Sequence, residues 1–257
     1  MAVSTPFRVH SCALFALLAV SATAQTNSNP VFVARAQADF NRAQAAYTAQ
    51  PTETNALRLG RATYYWAEYA TNETQRADVA RVGIAACHEW VGRKPKSAGA
   101  HYYLAIDDGE LAEAQAPSLA AYRLVHEIEH EFKTAADLDV TVDFAGPARC
   151  LGLLYRDAPG WPLSIGSKHK AHDWLTRAAT LAPDYPENQL NVAETAVRWH
   201  QAADAEAALK KLDAIWPAAQ KNLKGQEWEA IWADWTQRRA AVRADFEKTF
   251  KRPPKAP

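Results

Sequence analysis

Ala171, Leu175, Ala178 and Pro183 are followed, each after 34 residues, by Ala205, Leu209, Leu212 and Pro217. This recurrence constrains the chain more than any other feature. Positions i, i+4 and i+7 share one face of a helix. A small residue there lets two helices approach closely, a large one fills the groove beside it, and a proline stops the helix so that the chain can turn. Repeated at a fixed interval, the pattern describes stacked helical hairpins sharing one continuous interior.

The interval and spacing are those of tetratricopeptide repeats. Leu151-Gly152-Leu153-Leu154-Tyr155 supplies the L-G-x-x-Y element of a first helix. One departure follows it. The segment RDAPGWPLSIGSKHK, 156–170, separates Tyr155 from Ala171 and is about seven residues longer than the repeat requires. Upstream, the periodicity predicts a helix over 31–48 and then two pairs, 53–70 with 74–92 and 98–113 with 118–138. Ala80, Ile84 and Cys87 repeat the spacing ahead of Pro95. Residues 226–247 read as a closing helix carrying Trp228, Ile231, Trp232 and Trp235 on one side. The fold class expected is therefore all-α, an α-solenoid of tetratricopeptide-like antiparallel helix pairs over 25–250 with a C-terminal capping helix. The tail 251–257, KRPPKAP, is expected to be disordered.

Lys and Arg total 29 and so do Asp and Glu, giving a net charge of zero. Nothing in that balance favours nucleic acid or an anionic surface. The first 24 residues read as a signal peptide: Arg8 and His10, an apolar stretch CALFALLAV, then Ala22-Thr23-Ala24 before Gln25. No later stretch is apolar enough to span a bilayer. The mature chain is thus expected to be periplasmic or secreted, without a lipid-bearing cysteine. Cys87 and Cys150 fall on helices too far apart to pair and are expected as buried free thiols.

Candidate chemistry is sparse. His126-Glu127-Ile128-Glu129-His130 matches the H-E-x-x-H zinc motif. However, Leu124, Val125, Ile128, Phe132 and Ala135 form the apolar face of that helix, and the two histidines lie opposite it. No third ligand follows at a usable spacing. The expectation is a solvated face, with no metal, cofactor or catalytic residue, and a zinc hydrolase as the alternative. In the 156–170 loop, Pro159 and Pro162 bracket Gly160-Trp161. Trp161 is either a rigid aromatic anchor for a ligand or partner, or a seal folded back between two repeats. Asp107-Asp108-Gly109, downstream of His101 and Tyr102, is expected to end a helix. Otherwise these residues line the concave groove, which first helices form in such repeats.

From HYYLAIDDGELA to LAPDYPENQLNVAE, roughly 101–194, the chain resembles bacterial tetratricopeptide proteins similar to the T component of tripartite ATP-independent periplasmic transporters. The resemblance is most specific in AGPxRxLGLLYxxAPGWPxSIGSKxKA, here Ala145 to Ala171, where Gly146, Pro147, Arg149, Gly152, Gly160, Trp161, Pro162, Gly166, Ser167 and Lys168 match. It implies a helical, often oligomeric periplasmic protein that binds a solute-binding partner protein and holds apolar ligands in a pore or groove. The residues expected to contact a ligand or partner are Tyr102, Arg149, Trp161 and Lys168.

Overall fold

The structure is a computed structural model and describes residues 29–254. The expected signal peptide, 1–24, lies outside the described residues. Ten helices follow one another: α1 Pro30–Ala49, α2 Glu53–Ala67, α3 Glu73–Arg93, α4 Ala98–Ala114, α5 Leu119–Asp139, α6 Val142–Asp157, α7 Lys168–Leu181, α8 Pro186–Arg198, α9 Ala202–Asn222 and α10 Gln226–Phe250. Side chains of Asn29, Thr52, Asn72, Ser97, Ser118 and Ser167 accept hydrogen bonds from first-turn amides and fix where six of these helices begin. Each such cap stabilises its helix by about 1 kcal/mol.

Consecutive helices pack as antiparallel pairs, α2 with α3, α4 with α5, α6 with α7 and α8 with α9, while α1 covers α2 and α10 lies on α8. This is the helical-repeat solenoid read from the 34-residue interval. Ala171, Leu175, Ala178, Ala205, Leu209 and Leu212 are all buried. Gly152 shows why the repeat needs a bare backbone on α6. A Cβ there would lie 2.6 Å from Leu175 Cγ and 2.9 Å from its backbone nitrogen, so the α6–α7 crossing leaves no room for a side chain. Cys87 and Cys150 are buried free thiols, as expected. None of the described helices is long and apolar enough to cross a membrane.

The terminal helix covers the last pair with aromatic rings. Trp235 and Phe246 are fully buried. Trp232 stands edge-on to both Trp216 and Trp235, at 5.1 and 4.9 Å. This contact corrects one expectation. Pro217 does not end its helix, because α9 continues to Asn222. Trp216 is held by Trp232 and by Arg239 stacked 4.5 Å over its ring, and Asp213, one turn earlier, pairs with Arg239 and Arg243. These contacts ahead of the proline, and the Trp232 indole N–H donating to the Leu223 carbonyl beyond it, keep the chain helical through a local defect. The tail begins by holding on to the fold: Arg252 pairs with Glu206 and lies over Phe246.

A second correction concerns Asp107-Asp108-Gly109. The helix runs through them to Ala114, and both carboxyls are buried. Neither oxygen of Asp107 has a hydrogen-bond partner, and its carboxyl lies against Gly83 on α3. Burial, with the charge of Asp108 adding to it, pushes the Asp107 pKa well above 3.8. Burial, together with Glu127 and Glu131, pushes Asp108 up to about 7. A carboxyl that holds its proton longer in the fold than in the unfolded chain stabilises the fold fully below the unfolded value. That stabilisation is lost as pH rises through the folded value. Asp107→Asn cannot titrate. Relative to the parent, its stability in urea unfolding should therefore rise between pH 4.5 and pH 8. A difference that stays constant across that range would show that Asp107 ionises freely inside the fold.

Candidate functional site: a tyrosine and arginine pocket on the inner face

The first helices of the four pairs, α2, α4, α6 and α8, stack on one another and α10 continues the row. Along this inner face a single stretch of backbone departs from helix geometry. Asp143, Phe144 and Ala145 have φ of 49°, 55° and 63° and ψ of 52°, 50° and 34°. Three consecutive left-handed residues, none of them glycine, cost about 1–2 kcal/mol each. Such strain persists only where surrounding contacts over-determine it.

Arg149 supplies those contacts from one turn further along α6. Its Nη1 donates to the carbonyls of Asp143 and Phe144, both at 3.2 Å, and its Nη2 donates to the Asp143 carboxylate at 2.8 Å. Asn188 on α8 donates to the Phe144 carbonyl at 3.1 Å and accepts from Arg149 at 3.3 Å. The Tyr102 hydroxyl donates to the same Asp143 oxygen at 2.7 Å. Phe144 stacks face to face on Tyr185, with centroids 4.4 Å apart and planes 4° apart, and Arg149 lies 5.2 Å over the same Tyr185 ring. The helix resumes at Gly146-Pro147. A Cβ on Gly146 would sit 2.4 Å from the Tyr102 hydroxyl. Pro147 stands in a turn where its missing N–H costs nothing.

The clamp forms one wall of a pocket. Arg61, Tyr64 and Tyr65 come from α2, Tyr102, Tyr103 and Ile106 from α4, Asp143 and Arg149 from α6, Tyr185 and Glu187 from the start of α8, and Ile231 from α10. It holds about 30 Å³ of water-sized space, on a scale where one water needs about 10–15 Å³. Burial pushes the Tyr103 and Tyr185 hydroxyls well up, and it raises the Glu187 carboxyl against the opposing pull of Arg149 and Arg238. Arg61 sits at the rim, stacked 5.6 Å over Tyr65.

Two of the expected contact residues, Tyr102 and Arg149, thus meet in this pocket. The other two do not join them. Trp161 lies in the loop at the far end of α6 and Lys168 opens α7 just after it; the loop starts nine residues or roughly 13 Å beyond Arg149. Trp161 is 88 % exposed and Leu163 76 %, so the indole does not seal a groove between repeats. The loop backbone is nonetheless fixed, since Gly166 donates to the Pro159 carbonyl at 2.8 Å and Ser167 to that of Tyr155 at 2.9 Å. Lys168 lies 5.7 Å over the Trp199 ring. In the H-E-x-x-H segment, His126 and His130 are exposed, whereas Glu129 accepts from Tyr155 and from Lys133. Among the described residues no group of three His, Cys, Asp or Glu side chains is placed to hold a metal ion.

Sequence reasoning missed Arg61, Tyr65, Tyr103, Asp143, Tyr185 and Glu187. The available signal was Gly146-Pro147 interrupting a helical stretch, with an arginine two residues later and an aspartate three before. That arrangement brackets a break that the arginine can reach back to close. Compared with known proteins, the sequence matches no family model and no curated protein.

Three substitutions separate clamp, strain and loop, read by urea unfolding. Arg149→Met removes the charged donor shared by the Asp143 carboxylate and two carbonyls, leaving only Tyr102 and Asn188 to hold them, and should cost about 3–5 kcal/mol. Ala145→Gly should stabilise by about 1 kcal/mol, although the same change inside an ordinary helix costs about 0.5–1 kcal/mol. Trp161→Ala should stay within about 0.5 kcal/mol of the parent. A loss of several kcal/mol there would mean the indole is packed.

Proposed function

We propose that this chain is an exported, non-catalytic tetratricopeptide-type scaffold that binds a small ligand in the tyrosine and arginine pocket and presents the Trp161 loop to a protein partner. The observation that carries this reading is the left-handed turn at Asp143–Ala145. A strained backbone held open by a buried arginine, at the point where five elements meet, is characteristic of a pre-organised binding site. The ionic groups there support binding rather than turnover. Arg149, Asp143 and Tyr102 are engaged with one another and with backbone, so they shape the cavity and do not exchange protons with a substrate. Following the family resemblance, the partner proposed is a periplasmic solute-binding protein, with this chain an auxiliary component of a tripartite ATP-independent transporter. The exposed Trp161 and Leu163 on a fixed loop suit a protein contact, because little conformational freedom is lost when they are covered.

Two measurements test the two parts separately. With ¹³C-labelled tyrosine, compounds from a small-molecule library that bind should move the Tyr65, Tyr103 and Tyr185 resonances and leave Tyr47 and Tyr122 in place. A broad screen that never moves the pocket tyrosines would count against the ligand reading. Affinity capture from periplasmic extract, analysed by mass spectrometry, should recover a solute-binding protein with the parent chain and at least about tenfold less with Trp161→Ala. Equal recovery by the two would move the partner surface away from the loop.

A further inference from the structure

We infer that Arg35 and Glu229 form a clasp between the two ends of the solenoid, and that parting them is the way into the inner pocket. The second half of this inference rests on the pocket-binding reading; the first half does not. In a helical-repeat solenoid each repeat touches its neighbours, and the curvature of the stack is the sum of small rotations between them. A contact between the first and last elements lies outside that rule. Here α1 and α10 make one. The Arg35 guanidinium donates to the Glu229 carboxylate at 2.9 Å and to the Gln226 carbonyl, joining positions 194 and 191 residues apart. Just past α2, Tyr69 is acted on by both Arg35 and Asp234 of α10. Tyr65 of α2 packs on the apolar cluster that α10 shares with α8 and α9. The pocket lies inside the ring closed in this way. Its wall passes from Arg61 and Tyr65 on α2, through α4, α6 and α8, to Ile231 on α10.

The two sides of the ring are held unequally. Arg238 ties α10 to Glu194 and Asn191 of α8, and Arg239 and Arg243 tie it to Asp213 of α9. The N-terminal end of α10 is fixed to the same side by the Trp232 indole donating to the Leu223 carbonyl. Toward α1, the ion pair stands in water. The Arg35 side chain is 25 % exposed and that of Glu229 53 %. A pair so placed shifts an equilibrium by about fivefold at most, so it can part without unfolding either side. Its charges also set the direction of failure. Arg35 faces the start of α10, where unpaired amides carry partial positive charge. Glu227 and Glu229 in the first turn offset that charge. Reversing the Glu229 charge turns the attraction into repulsion and drives the ends apart.

The test places spin labels at Ala38→Cys on α1 and Ala233→Cys on α10, both exposed, in the full mature chain; Cys87 and Cys150 are buried and stay unlabelled. Pulsed electron resonance then reads the distance between the ends. The parent should give mainly one short distance. Glu229→Arg or Arg35→Glu alone should raise the share of longer distances by about fivefold or more. Arg35→Glu combined with Glu229→Arg should restore the parent distance, which a folding defect would not allow. Access is read on chain carrying ¹³C-labelled tyrosine, with a dissolved nitroxide as relaxation agent. Relaxation of Tyr65, Tyr103 and Tyr185 should increase in Glu229→Arg and return to the parent rate in the charge swap, with Tyr47 and Tyr122 unchanged throughout. A distance unmoved by either single change, or unrestored by the swap, overturns the clasp. Ends that part while the pocket tyrosines stay shielded overturn its role as the way in. If the ends part and the tyrosines open, but a broad compound screen still moves none of them, the pocket-binding reading fails and the clasp stands.

Discussion

The Arg149 guanidinium reaching back to the Asp143 and Phe144 carbonyls is the contact on which the inner face depends. Without it the three left-handed residues would relax toward ordinary helix, and the right-handed turns would run back from Gly146 to Val142. The Asp143 carboxylate would then leave Tyr102, and Phe144 would leave Tyr185. A planar guanidinium suits this role because it donates in several fixed directions at once and keeps its charge when buried. A lysine ammonium matches neither property.

A buried ion pair of this kind is weak evidence of stability, since desolvation offsets much of the attraction. Its contribution is to conformational specificity. The same holds for Arg238 on α10, which donates to Glu194 and Asn191 on α8 and lies within ion-pair distance of Glu187 and Asp234. Apolar contact alone would let α10 slide along α8, because tryptophan faces tolerate many registers. The Arg238 network selects one. The pocket is thereby closed on the α10 side in a defined geometry, with Ile231 at its edge.

The outer and inner sides of the solenoid follow different rules. Second helices such as α7 and α9 bury small and branched residues in a regular stripe. First helices bury polar groups as well: Asp107, Asp108 and Glu110 on α4, Arg149 on α6, and Glu187, Asn188, Gln189 and Asn191 on α8. Each must find partners or keep its proton. The inner face therefore combines pre-organised polarity with limited adaptability, which suits recognition of a small polar group more than general apolar storage.

The hairpin stack was legible in the sequence, because close packing at Ala171, Leu175 and Ala178 requires the same side-chain sizes at each repeat, and sizes can be read directly. The burial of Cys87 and Cys150 followed from the same argument. The continuation of α9 past Pro217 was not legible, since Trp216 is held by the Trp232 ring from a helix that begins ten residues later. A helix over 98–113 could be read, but the enclosure of Asp107 and Asp108 within it was hidden for a similar reason: residues that suit a helix end in water can sit inside one when neighbouring helices enclose them. Tyr102 and Arg149 could be singled out one at a time, but their meeting at Asp143 joins positions 41 and 6 residues apart through a backbone break that no local propensity favours. Composition and spacing determined which surfaces must be buried. Only the tertiary structure decided which polar groups would be enclosed together, because that depends on distances between helices and not on distances along the chain.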